Sequence, residues 1–352
     1  MSVSSGVAAA RFRAQLLLPP GARNVEDVVD RLLAVQAQDA RAFRLAVRAR
    51  SHGTSARDVD TALSERRTLV VCWLVRGTLQ LVRSADYWWL HTLTAPRMVA
   101  GNARRLAQLG VDESMTRRGL ETVHEAVAEG PRTRDELRAA LDSAGVPTAG
   151  QALVHLLVAA TLHAHLVRGP VRDGDHCFVD AEQWLGRPNV PDRERCLGML
   201  ARRYLAGHGP ATPADLAAYA GITLTDARHS FEMIADETRP VEGMWALGDD
   251  SDADTLPPPR LLGMFDPVLH GWVDRAFVTG AHKDVVTANG LFRATALADG
   301  RVAGTWTLPA GVVTLNPLRR LASAELTALE AEAADVLRYL DLPPAPLRVA
   351  GS

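Results

Sequence analysis

Part of this chain occurs twice, and that repeat constrains the fold more than any other feature. Residues 130–137 read Gly-Pro-Arg-Thr-Arg-Asp-Glu-Leu, and residues 209–216 read Gly-Pro-Ala-Thr-Pro-Ala-Asp-Leu. Gly, Pro, Thr, an acid and Leu therefore recur at one spacing, 79 residues apart. In each copy the Thr is placed to cap a short helix, over 134–141 and over 213–220. The second of these has proline at its first position, where the missing N–H would have no partner anyway. A helix precedes each copy (119–128 and 194–206), and a glycine (Gly145, Gly221) then leads into a longer helix (151–162 and 225–235). The first copy continues into 165–168 and 177–179 around an Asp173-Gly174 turn, the second into a shorter hairpin over 240–247. Self-similarity at a fixed period marks a chain assembled from repeated supersecondary units.

The N-terminal segment follows the same grammar without the repeated words. Residues 25–36 predict an amphipathic helix, with Val25, Val28, Val29, Leu32, Leu33 and Gln36 on one side and Asn24 as its cap. Further helices are expected over 42–51 and 55–65, the latter capped by Ser55. Residues 69–82 then change period and predict two short strands joined at Arg76-Gly77. Helices followed by a β-hairpin are the pattern of a winged helix. The expected architecture is α+β: three tandem winged helices over 11–95, 112–186 and 192–248, then a linker over 249–260 that is acidic and ends in Pro257-Pro258-Pro259. A C-terminal β domain over 261–345 is expected to carry strands at 277–278, 284–286, 293–298 and 302–308, with a candidate strand at 312–315. Asp299-Gly300 should turn one hairpin, and a helix over 323–339, capped by Ser323, should close a small sheet or partial barrel before Pro343-Pro344.

Composition excludes several classes. With 352 residues and 47% hydrophobic, the chain can bury two or three cores, and it is neither disordered nor collagen-like. It has no run of 18 apolar residues, so no membrane span is expected, and its first ten residues lack the pattern of a secretory signal. Three cysteines, Cys72, Cys177 and Cys196, point to a reducing cytoplasm rather than a disulfide framework. The net charge of −2 conceals an asymmetry: residues 1–110 hold 16 Arg against 8 acids, while the rest of the chain is acidic. One end facing a polyanion would account for this, and so would a solvated basic surface.

The familiar catalytic signatures are absent: no Gly-x-x-x-x-Gly-Lys loop, no Gly-x-Ser-x-Gly elbow, no His-Glu-x-x-His. His155, His163, His165, His176 and Cys177 form the best metal candidate, but lack ligand spacing. The offset of two between His163 and His165 is expected to point their side chains apart, which favours packed or surface histidines. Winged helices commonly place a helix in the DNA major groove and a wing on the backbone, but they also serve as scaffolds. The unusual local feature is Gln36-Ala37-Gln38-Asp39, lying among Arg41, Arg44, Arg48 and Arg50. A carboxamide offers a carbonyl acceptor and an NH2 donor, so it can hold a water without taking its proton. Two amides there can equally be the polar end of a helix.

Leu33-Ala34-Val35-Gln36-Ala37-Gln38-Asp39, with Leu45-Ala46-Val47-Arg48-Ala49-Arg50-Ser51 after it, resembles the AlkZ/YcaQ family of winged-helix DNA glycosylases. So do Trp73-Leu74-Val75-Arg76-Gly77-Thr78-Leu79, Phe265-Asp266-Pro267 and the segment from Asp299 to Trp306, in the family's order. The resemblance implies tandem winged helices and a C-terminal β element curved around a DNA-sized cleft. It also implies hydrolysis of the N-glycosidic bond of N7-alkylated purines, bulky adducts and interstrand crosslinks among them. Gln36-Ala37-Gln38 matches the Gln-x-Gln form of the family's catalytic signature, which makes Gln36 and Gln38 the candidate catalytic residues. Where family members often carry His, this chain has Gln80. An N7-alkylated purine is already a cationic leaving group, and the transition state resembles an oxocarbenium ion. A positioned water and a negative dipole near C1′ then suffice. The Gln36 and Gln38 carbonyls would supply both, with Asp39 as a cap or arginine partner, or else as an alternative base. Arg41, Arg44 and Arg76 are the candidate phosphate contacts, and Thr78 a neutral one.

The expected partner is double-stranded DNA carrying an alkylated purine, with no membrane, metal or organic cofactor and with a monomer acting in the cytoplasm. Lys283, the only lysine, lies in the C-terminal domain, so a monofunctional enzyme leaving an abasic site is expected. The alternatives are a non-enzymatic tandem winged-helix DNA-binding regulator and an interaction scaffold.

Overall fold

The computed structural model describes residues 3–172, 175–187, 189–248 and 255–351. The expected Asp173-Gly174 turn and the start of the linker, 249–254, lie outside the described residues. The chain forms two compact units: one comprises 1–59, 198–219 and 223–352, the other 60–197 with 220–222.

The second unit holds the first copy of the repeat. Helices Glu113–Ala128, Arg134–Ser143 and Ala152–Leu162 are followed by strands Leu166–Arg172 and Asp175–Asp180. Thr133 caps as its position predicts: its hydroxyl accepts from the Glu136 N–H, and the Glu136 carboxylate accepts from the Thr133 N–H. Leu137, Leu141, Leu153, Leu156, Leu157 and Phe178 are buried together in the core these helices share. The hairpin predicted around Arg76-Gly77 forms from Leu69–Leu74 and Thr78–Arg83. The two hairpins join edge to edge through Val71 and Arg168, so the strands run 78–83, 69–74, 166–172, 175–180, antiparallel throughout. The helix Tyr87–Gln108 carries little sequence signal because Pro96 lies inside it.

In the first unit, Pro213–Ala220 is opened by the same reciprocal cap, Thr212 with Asp215. Leu224–Glu232 and the hairpin of Thr238–Val241 with Met244–Leu247 follow. The two copies agree in one further detail. Arg132 bridges to Phe178 and Ala211 to Trp245, so the residue between Pro and Thr pairs each time with the second strand of the following hairpin.

The C-terminal sheet has five strands in the order Arg348–Val349, Thr314–Pro317, Arg301–Thr307, Thr295–Ala298, Arg260–Leu262. Its first pair is parallel and the others antiparallel. Asp299-Gly300 turns the central hairpin with both φ positive, and Ser323–Tyr339 packs on the sheet as expected. Two expected strands are absent: Ala276–Thr279 is a helical turn whose first N–H bonds the Asp274 carboxylate, and Lys283–Val285 is a 3-10 turn. Both are runs of only a few residues, too short for periodicity to tell strand from helix.

The basic N-terminal segment is less available to a polyanion than its charge suggests. Arg11, Arg48 and Arg50 are buried. Arg50 is fully enclosed and meets Asp266, also fully enclosed, through two bonds of 2.9 and 2.7 Å; its two terminal nitrogens also reach the Ala46 carbonyl and Gln15. Arg48 bonds Glu332 at 2.7 Å, Asp335 at 2.9 Å and the Leu261 carbonyl. Burial alone would raise the Glu332 carboxyl, but Arg48, Arg260 and the Leu261 N–H outweigh it and hold the group below its ordinary range. These pairs, with Leu45 in the C-terminal core, fasten helix Ala40–Arg48 to the sheet and to the closing helix. Asp266→Ala would leave the Arg50 charge buried without its counter-ion. It is expected to lower unfolding stability by about 3–5 kcal/mol, read from urea denaturation. A loss under about 1 kcal/mol would show that the pair does not anchor the helix.

Candidate active site

The Gln-x-Gln segment follows a helix that stops early. Helix Val25–Leu32 begins under the predicted Asn24 cap, but ends four residues before the predicted end at Gln36. Leu33 takes φ 66° and ψ −50°, and the Ala34 N–H bonds the Leu32 carbonyl at 2.8 Å. This is a γ-turn of the rare positive-φ hand. For leucine it is an outlier, of the kind that stores about 1–3 kcal/mol and persists only where the surroundings enforce it. The Leu33 side chain is buried, and the chain leaves the turn as the two-residue strand Val35–Gln36.

The surroundings are donors to carbonyls that the helix end leaves open. The Arg203 guanidinium bonds the Asp30 carbonyl at 2.9 Å and the Asp30 carboxylate at 3.1 Å. Arg31 reaches the Ala206 carbonyl. The Tyr219 hydroxyl faces two carbonyls, Leu32 at 3.0 Å and Ala34 at 3.3 Å. Gly207 lies so close to the Arg31 carbonyl that a Cβ there would clash with it.

Past the turn, the Gln36 side chain is buried and that of Gln38 exposed. The Gln36 Nε2 donates to the Gln38 Oε1 at 2.6 Å. The bond engages one of the two lone pairs of the Gln38 carbonyl oxygen. Asp39 is a cap, with one carboxylate oxygen accepting from the Arg41 N–H at 2.9 Å and the Ala42 N–H at 2.7 Å. On the helix that follows, Arg41 is exposed; Arg44 donates to the Ala40 carbonyl and lies over the Phe43 ring at 4.5 Å.

Arg76 and Thr78 belong to the other compact unit. Arg76 sits at φ 60° and ψ 12°, in the left-handed region, followed by Gly77 at φ 73°. Gly221, the glycine of the second repeat, lies against the Arg76 backbone. Thr78 is not a spare hydrogen-bond donor as expected: its hydroxyl bonds the Val75 carbonyl at 3.3 Å and accepts from the buried Gln80 at 2.6 Å. Gln80 thus braces the turn that presents Arg76.

The histidines are spread over separate contacts. His155 meets Asn102 and His176 the Gly169 carbonyl. His163 and His165 do not point apart; their rings stack at 6.3 Å, and His165 also faces His124 at 4.8 Å. Burial, then His124 and His163, push the His165 pKa down. Among the described residues no group of three or more His, Cys, Asp or Glu could hold a metal ion.

Sequence reasoning missed the supports of the Gln segment. Tyr219 lies far along the chain and carries no motif. Arg48 and Arg50 were visible as charges within an otherwise apolar run, a sign of buried pairing.

The DNA glycosylase AlkZ-like family matches residues 29–339, and the chain belongs to that family. It is 25% identical to the interstrand DNA cross-link repair glycosylase of Streptomyces sahachiroi, over 96% of this chain and 97% of that protein. The solved structure of the Streptomyces sahachiroi DNA glycosylase AlkZ superposes with a TM-score of 0.81 at 26% identity, covering 99% of this chain and 100% of that one.

Gly207 allows a test of how tightly the helix end is held. In an open helix, glycine to alanine stabilises by about 0.5–1 kcal/mol. Gly207→Ala is expected to do the reverse and destabilise by about 1–3 kcal/mol, because the Arg31 carbonyl must move. A raised melting temperature would show that the contact yields easily.

Proposed function

We propose that this protein is a monofunctional DNA glycosylase that hydrolyses the N-glycosidic bond of N7-alkylated purines in duplex DNA, bulky adducts and interstrand crosslinks included. The observation that carries the proposal is the paired carboxamides of Gln36 and Gln38, set directly after a strained turn, in a chain of the AlkZ-like family. Strain of this kind gathers where geometry matters more than stability.

The C1′–N9 bond breaks, and its electron pair neutralises the cationic purine. A water oxygen attacks C1′ and releases its proton to solvent, leaving the alkylated base and an abasic site. The Gln36 Oε1 accepts a hydrogen bond from that water and presents negative dipole to the sugar cation; Gln38 fixes the orientation of Gln36. Neither amide takes a proton, and the leaving group asks for none. The helix–helix–helix–hairpin segments act as three winged helices on the duplex, and Arg41, Arg44 and Arg76 contact phosphates. Thr78 serves by holding the Arg76 turn. The protein acts as a cytoplasmic monomer without metal or organic cofactor.

The test is single-turnover base release from a duplex with one N7-methylguanine or one bulkier N7 adduct, abasic sites being cleaved by alkali. Wild type should exceed the spontaneous rate, and the Gln36→Ala, Gln38→Ala double variant should fall to it. If the double variant and wild type release base equally, the catalytic assignment is wrong. Duplex binding without release from either substrate would favour a regulator. A second measurement concerns Arg76. Asparagine tolerates the left-handed region, so Arg76→Asn should keep the fold while weakening binding to all duplex sequences alike. The slope of log affinity against log salt should shrink by about 1. An unchanged slope would remove Arg76 from the interface.

A further inference from the structure

We propose that Tyr219 is a positioning residue for the reaction: its hydroxyl clamps the γ-turn at Leu33 and so fixes where the Gln36 carboxamide points. The inference rests on the reading of Gln36 and Gln38 as the catalytic pair.

The turn does not stand unaided. Leucine adopts φ 66° only under constraint, and the one backbone bond across the turn, from the Ala34 N–H to the Leu32 carbonyl, closes a ring of three residues. The Tyr219 hydroxyl lies 3.0 Å from the Leu32 oxygen and 3.3 Å from the Ala34 oxygen, so one phenol spans the start and the end of the turn. Ala34 is two residues before Gln36. Relaxing Leu33 to a negative φ would rotate the following peptides and carry the amide pair with them.

The phenol itself cannot drift. Tyr219 is buried, and its ring sits 5.1 Å from the Tyr204 ring and 4.6 Å from the His208 ring. Tyr204 is pinned in turn by its hydroxyl on the Gly271 carbonyl at 2.7 Å, and Trp272 bonds the His208 carbonyl at 2.9 Å. A rigid aromatic cluster therefore stands behind one hydroxyl, and that hydroxyl meets the backbone at the point where the helix becomes the Gln-x-Gln segment.

The experiment uses Tyr219→Phe, which keeps the ring and removes the clamp. Single-turnover base release from the adduct on which wild type is active should slow about ten- to a hundredfold, the effect of misplacing a reactive group, while duplex affinity stays within about twofold. Hydrogen exchange should quicken at residues 33–38 and remain as in wild type elsewhere, which separates a local effect from failure to fold. In the Gln36→Ala background, Tyr219→Phe should add nothing further, because the residue acts through the amide. Wild-type release by Tyr219→Phe, exchange that rises over the whole chain, or full additivity with Gln36→Ala would each overturn the assignment. If Gln36→Ala itself releases base normally, the catalytic reading fails and this inference falls with it. If Gln36→Ala is inactive while Tyr219→Phe is not, only this inference falls.

Discussion

The first unit depends on two charges with nowhere else to go. Arg50 and Asp266 are fully enclosed, and each is tolerable only because the other is there. The pair joins the loop after helix Ala40–Arg48 to a segment more than two hundred residues later, and Arg48 extends the connection to Glu332 and Asp335. A helix of nine residues is about 13 Å long and stiff on that scale. Fixing its C-terminal end therefore fixes its N-terminal end, where Asp39 caps the first turn directly after Gln38. The Gln segment is held from both sides: by this anchored helix in front, and by Arg203, Tyr219 and the close approach of Gly207 behind.

Such rigidity suits a weak chemical demand. On the proposed reading the leaving group already carries charge and needs no strong acid or base, so the protein's contribution reduces to placing a neutral dipole and a water. Carboxamides do this without titrating, at the price of needing exact support. Buried ion pairs and a strained turn provide it.

What the sequence made legible follows from the range of the interactions concerned. Caps and hairpins are local. Thr133 with Glu136, Thr212 with Asp215, the turn at Arg76-Gly77 and that at Asp299-Gly300 could be read from a few neighbours, and they stand where the pattern puts them. The Gln pair was visible as an odd run of amides. The early end of helix Val25–Leu32 was not, because periodicity continues through Leu33 and Gln36, and only distant donors make the break stable. The same limit applies to Arg48 and Arg50: their place in an apolar run signals buried pairing, but not with which residues, since Asp266 and Glu332 lie more than two hundred residues away. At Ala276–Thr279 the failure was of another kind: four apolar and β-branched residues fit a strand or a helical turn equally, and the turn that forms has its first N–H bonded to the Asp274 carboxylate.

The discontinuity of the first unit governs the order in which the protein comes into being. Residues 60–197 form nearly all of the second unit, so it can fold while the rest of the chain is still being synthesised. The Gln segment is translated early, but Tyr219, Asp266 and Glu332 emerge much later. Arg50 gains its counter-ion only once Asp266 is made, the γ-turn its clamp only with Tyr219, and Arg48 its carboxylates only with the closing helix. The chain therefore carries the Gln segment well before the contacts that hold it, and helix Ser323–Tyr339 supplies the carboxylates for Arg48 after Tyr219 and Asp266 have been made.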